Sequence, residues 1–72
     1  ALAGGADGLD YYRRIISDGP RHLKPGGFIA VEVGINQAQP VAAMADKSGA
    51  LKTQATLKDY AGIERVVVMK AI

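Results

Sequence analysis

The spacing of apolar residues changes period along this chain, and each change marks an element. From Gly8 the apolar positions fall at Leu9, Tyr12, Ile15 and Ile16 and run on to Gly19. That is the spacing of a helix with one face against a core. Asp7 precedes it as a helix N-cap, and Asp10, three residues on, favours the positive end of the helix dipole. Asp18-Gly19-Pro20 interrupts the pattern, because Pro20 has no N–H to donate. A short second helical piece is expected from Pro20 to Leu23, ended by Lys24-Pro25-Gly26-Gly27, where glycine supplies the positive φ of a tight turn.

Phe28 to Val33, FIAVEV, then reads as a strand from its length and β-branched content. Ile29, Val31 and Val33 share one face; Phe28, Ala30 and Glu32 share the other. Both faces are largely apolar, as in a strand covered on both sides. After the loop 34–39, Pro40 suits the first turn of a helix, with Val41, Met44, Ala45 and Ser48 on one face and Gly49 as its C′ stop.

Leu51 to Lys58 alternates strictly. Leu51, Thr53, Ala55 and Leu57 face one way, and Lys52, Gln54, Thr56 and Lys58 the other. This predicts an edge strand guarded by its lysines. Asp59-Tyr60-Ala61-Gly62 turns the chain into Arg65 to Ile72, RVVVMKAI, apolar on both faces and so a central strand. The last two strands form a hairpin, while the first two are joined through a helix. The expected fold class is therefore α/β: two main helices on a three-stranded mixed sheet, the last strand antiparallel and inserted between the other two. Both helices should cover one face and leave the other bare.

Composition limits what such a chain can be. Seventy-two residues make one small domain without cysteine and with a single histidine, His22, so disulfides and a structural metal site are not expected. A chain this short buries only about 60–65% of its unfolded surface. With a bare apolar sheet face, a homodimer or higher oligomer is expected. The formal net charge is +2, with nine basic and seven acidic residues dispersed along the chain. No basic run supports direct nucleic-acid binding, and no apolar stretch is long enough for a membrane span. Ala1-Leu2-Ala3-Gly4-Gly5 carries no initiator methionine or signal, which suggests a cut inside a longer protein.

A final antiparallel strand slipped between strands that run the same way resembles the C-terminal half of a class I S-adenosylmethionine-dependent methyltransferase. Leu23-Lys24-Pro25-Gly26-Gly27 before an apolar strand resembles the approach to the fifth strand of that fold. Leu2 to Arg13, LAGGADGLDYYR, is similar to the segment after the catalytic Asn-Pro-Pro-Tyr motif of HemK-like release-factor glutamine methyltransferases. Lys58 to Val67, KDYAGIERVV, resembles the hairpin closing that family, and Glu32-Val33-Gly34 followed by Gln37 fits its pattern as well. The resemblance covers essentially all 72 residues.

That resemblance implies a C-terminal fragment, residues 1–72, of the catalytic domain of a cytoplasmic enzyme. The complete enzyme would move a methyl group from S-adenosylmethionine to the glutamine of the Gly-Gly-Gln tripeptide in class I peptide-chain release factors. The cofactor loop, the ribose-holding acid and Asn-Pro-Pro-Tyr are absent from this sequence. No catalytic, cofactor-binding or metal-binding residue is expected here, and the isolated chain should be inactive and bind no cofactor. Two residues are candidates for the substrate end of the site. Asp7 would order the loop beside the substrate glutamine, or simply cap its helix, the commoner job for such a residue. Glu32 would shape the substrate pocket, or be an ordinary strand-end acid in solvent. Two other readings stay open: a free-standing α/β interaction or dimerisation module, and a class I methyltransferase acting on a small molecule or RNA.

Overall fold

The computed structural model describes residues 8–72. Helix α1 (Asp10–Asp18) runs into a 3-10 turn, Gly19–His22, and then into strand β1 (Phe28–Glu32). Helix α2 (Ala38–Lys47) leads to β2 (Leu51–Lys58), which turns into β3 (Glu64–Ala71). The sheet order is β1-β3-β2, with β3 antiparallel to both neighbours. Every ladder is thus antiparallel, while β1 and β2 point the same way without touching. The inserted last strand expected from the burial patterns is present.

Local chemistry accounts for the element ends. Leu9 occupies the N-cap position of α1, with no side-chain cap hydrogen bond. The capping role expected of Asp7 lies outside the described residues. Asp10 stands in the first turn as expected, and Arg13 pairs with it at 2.6 Å. Pro20 falls in the 3-10 turn, where the α-helical ladder has ended. At Lys24–Gly27 the chain reverses with Pro25 second and Gly26 third, at φ +82°, closed by the Gly27 N–H donating to the Lys24 carbonyl at 2.9 Å. This is the residue order of a type II turn. Its far side is stitched to the end of β3: the Gly26 N–H donates to Ala71, and the Ala71 N–H to Gly27. Pro40 lies in the first turn of α2, and Gly49, at φ +77°, follows its C-cap, Ser48.

All the core lies on one face of the sheet. Tyr12 and Ile16 of α1 and Val41 and Ala45 of α2 meet Val31, Val33, Leu51, Val67, Met69 and Ala71. The alternate residues of the strands look out from the other face, where Phe28 is 59% exposed and Ala30, Glu32 and Lys70 are also open. Two-sided cover of β1 is therefore not supplied by these residues. One side is sealed by both helices and the other is bare, as their placement on a single face dictates.

One expectation fails locally. The alternation of Leu51–Lys58 holds only as far as Thr53. The register shifts between Thr53, opposite Met69, and Ala55, opposite Val68, so Gln54 is an extra residue in the edge strand. Such a bulge swaps the faces beyond it. Thr56 is half-buried, while Leu57, expected on the inner face, is 52% exposed.

Candidate functional site

In open α/β sheets ligands are met outside the carboxyl ends of strands that run the same way. Here β1 and β2 share a direction, so their carboxyl ends bring loop 33–37 and hairpin tip 59–62 to one end of the sheet. The loop is rigid for a reason visible in its residues. The Gly34 N–H donates to Gln37 Oε1 at 2.7 Å, and the Gln37 N–H donates back to the Gly34 carbonyl at 3.1 Å. Between them Asn36 takes φ +66°, a left-handed conformation that Asn tolerates better than most residues.

Gln37 also ties the loop to α1. The Tyr12 hydroxyl, brought inward on the apolar helix face, lies 2.8 Å from the Glu32 carbonyl oxygen and 3.3 Å from Gln37 Oε1. Gln37 Nε2 reaches the Gly8 carbonyl at 3.5 Å. Two segments far apart in sequence, 8–12 and 32–37, therefore converge on one tyrosine and one glutamine. Burial, reinforced by neighbouring Tyr11 and the negative charge of Glu32, holds the Tyr12 phenol above its ordinary pKa, so it stays a neutral donor.

On the other side of the loop an open groove runs between Ile35, Asn36 and Gln39 and the hairpin residues Lys58, Ile63 and Glu64. Gln39 Nε2 donates to both carboxylate oxygens of Glu64, at 3.1 and 3.3 Å, and the Thr56 hydroxyl donates to one of them at 2.5 Å. The Thr56 bond first, then the Gln39 bond, hold the Glu64 carboxyl below its usual pKa. The hairpin tip is fixed by Asp59. One of its oxygens accepts from the Ala61 and Ile63 N–H groups, at 2.9 and 3.0 Å, and the other meets Arg65 Nε at 3.0 Å. Tyr60 stands fully exposed on that tip, and Ile35 is 61% exposed on the facing loop.

Of the residues singled out from sequence, Glu32 lies at this end of the sheet with its side chain exposed on the bare face. Asp7 lies outside the described residues, although its neighbour Gly8 reaches Gln37. Tyr12 is core, Tyr11 is 64% exposed, and His22 is exposed at the end of its 3-10 turn. Sequence reasoning missed the bridging part played by Gln37. The signal for it was the Gly34-to-Gln37 spacing, which lets a side chain just ahead of a helix cap the loop before it. The groove partners Gln39, Thr56 and Glu64 gave no such signal, because the bulge puts Thr56 on an unexpected face.

No family model and no solved structure matches the chain. Among curated proteins it is 46% identical over 71 residues to the release factor glutamine methyltransferase of Gloeobacter violaceus, covering 99% of this chain and 25% of that protein. It is 47% identical over 68 residues to the protein of that name from Clostridium acetobutylicum, covering 94% of this chain and 24% of the relative. The Geobacter sulfurreducens protein of that name is 48% identical over 67 residues, 93% of this chain and 23% of its own length. The chain therefore spans about a quarter of the length of these curated relatives.

Proposed function

We propose that this chain is the C-terminal part of a protein-glutamine N5-methyltransferase that modifies the Gly-Gly-Gln glutamine of peptide-chain release factors. The observation that carries the reading is identity of 46–48% to release factor glutamine methyltransferases across 93–99% of the chain. The closed family-like hairpin and the Glu32–Gln37 segment add to it. An isolated interaction module or a different substrate class gains nothing from these relatives.

Within the complete enzyme, this part shapes the substrate end of the site. The Tyr12–Gln37 network fixes the loop after β1, Glu32 borders the region where the substrate glutamine is presented, and the family resemblance alone gives Asp7 a part in ordering the loop beside it. The methyl donor, S-adenosylmethionine, would be held elsewhere in the protein. The described residues do not suit it: they include no buried polar or charged residue, and the Gly34 N–H is already taken by Gln37. Hence the chain alone is inactive and should show no micromolar binding of S-adenosylmethionine by titration calorimetry.

The enzyme is cytoplasmic in this reading, and its partner is a release factor, with no direct contact to nucleic acid. No helix among the described residues is long and apolar enough to cross a membrane. In isolation the chain self-associates, because its second sheet face is bare. The test of the catalytic reading is a chimaera. These 72 residues replace the matching segment of the Geobacter sulfurreducens protein, and methyl transfer to a release factor is measured. Activity with release factor is expected; a folded chimaera inactive on release factor but active on RNA or a small molecule would overturn the reading.

A further inference from the structure

Gln37 uses both ends of its side-chain amide. Its Oε1 accepts from the Gly34 N–H at 2.7 Å and lies 3.3 Å from the Tyr12 hydroxyl, which also donates to the Glu32 carbonyl. Its Nε2 donates to the Gly8 carbonyl at 3.5 Å. The oxygen thus meets donors and the nitrogen meets an acceptor, which fixes the amide in one orientation. A carboxylate in its place could still accept from Gly34 and Tyr12, but it would have no proton to offer Gly8.

The backbone makes room for this amide on both sides. A Cβ on Gly34 would stand 3.1 Å from Gln37 Oε1, closer than side-chain carbons ordinarily come, and one on Gly8 would stand 3.5 Å from Nε2. Gly8 takes φ +74°, where glycine is favoured in any case. Gly34 is not among the glycines with positive φ. Its missing side chain therefore serves the amide and not the turn. Both ends of the link belong to this chain, so it does not depend on what packs around the sheet elsewhere.

The amide sits at the carboxyl end of β1, the end of such a sheet at which ligands are met. Gly8 leads the chain into α1, and Gly34 opens the loop after β1. We propose that Gln37 is a positioning residue of the methyl-transfer reaction: through Gly8 and Gly34 it sets the entry of α1 against the loop after β1, and so fixes the substrate end of the site without touching substrate. The inference rests on the methyltransferase reading and deepens it. Magnitudes favour a role in rate over one in folding. One neutral hydrogen bond adds little to stability, whereas a small displacement away from the reacting atoms costs up to about a hundredfold in rate.

The test uses the chimaera in which these 72 residues stand in the Geobacter sulfurreducens protein, with Gln37→Glu and Gln37→Met compared with the unmutated chimaera. At neutral pH both should lower kcat on release factor by about tenfold or more, with the KM for S-adenosylmethionine and the thermal midpoint little changed. The two should part as the pH falls towards about 5, where a half-buried carboxyl gains its proton. A protonated Glu offers Gly8 an O–H, so the kcat of Gln37→Glu relative to the unmutated chimaera should climb, while that of Gln37→Met stays low. Tyr12 stays neutral over this range, and Glu32 is present in every protein compared, so the ratio reports position 37. Unchanged kcat in either folded variant would overturn the inference. So would a loss of kcat that merely follows a fall in thermal midpoint, or an equal loss in both variants at every pH. If Gln37→Glu does not fold, the kcat of Gln37→Met decides alone. A folded unmutated chimaera without activity on release factor would bring down the methyltransferase reading, and this inference with it.

Discussion

The Tyr12 hydroxyl is 2.8 Å from the Glu32 carbonyl oxygen, and that single bond anchors α1 to the carboxyl end of β1. Tyr12→Phe keeps the ring and removes the bond, leaving a carbonyl unpaired. A loss of about 0.5–1.5 kcal/mol is expected in urea unfolding, with hydrogen exchange rising first in loop 33–37.

The same phenol gives an alkaline limit. Its pKa in the fold is raised above 10.0, chiefly by burial, so the unfolded chain loses this proton first. The neutral phenol's contribution is complete below about pH 10 and is lost as pH rises through the folded value. In Tyr12→Phe the alkaline fall in the unfolding midpoint should be shallower than in wild type.

Acid acts on the hairpin. The Asp59 carboxyl is held below 3.8, first by the Ile63 N–H and then by Arg65, and the Glu64 carboxyl below 4.5, first by Thr56 and then by Gln39. Lowered folded values mean stability that is present above the unfolded ones and lost as pH falls through the folded ones. Urea midpoints measured from about pH 6 to about pH 2 should decline in wild type and decline less in Asp59→Asn, which starts lower.

Leu51 is wholly buried at the start of the edge strand, among Val41, Val67 and Met69. Leu51→Ala should destabilise by about 2–5 kcal/mol, a cavity cost. In a domain this small that is enough to give a largely unfolded far-ultraviolet spectrum at room temperature.

At Gly49 the fold depends on backbone conformation alone. φ is +77°, and an added Cβ would meet nothing within 4 Å. Gly49→Ala should therefore cost roughly 1–2 kcal/mol from left-handed strain, and Gly49→Asn distinctly less, measured by thermal unfolding.

Much of the architecture was legible in the sequence, because period, proline and glycine report local constraints directly. The helix of Tyr12 and Ile16, the turn at Pro25-Gly26, the stop at Gly49 and the central position of Val67 and Met69 all follow from such signals. The order β1-β3-β2 was legible too, since lysines on Leu51–Lys58 marked an edge and their scarcity in RVVVMKAI marked a centre. What escaped depends on pairing across strands. Nothing near Gln54 announces a bulge; it arises from how β2 meets β3, and it sends Leu57 outward and Thr56 towards Glu64. The site was legible only in part for the same reason. Glu32 could be placed at a strand end, but the closure of Gln37 onto Gly34, Tyr12 and Gly8 joins positions up to 29 apart.

The bulge at Gln54 also limits how far assembly can go. A chain with two receptive strand edges can add partners at both ends without stopping, and its product is a fibre. Here the β2 border is kinked at Gln54 and carries Lys52 and Lys58, so the sheet cannot grow past it.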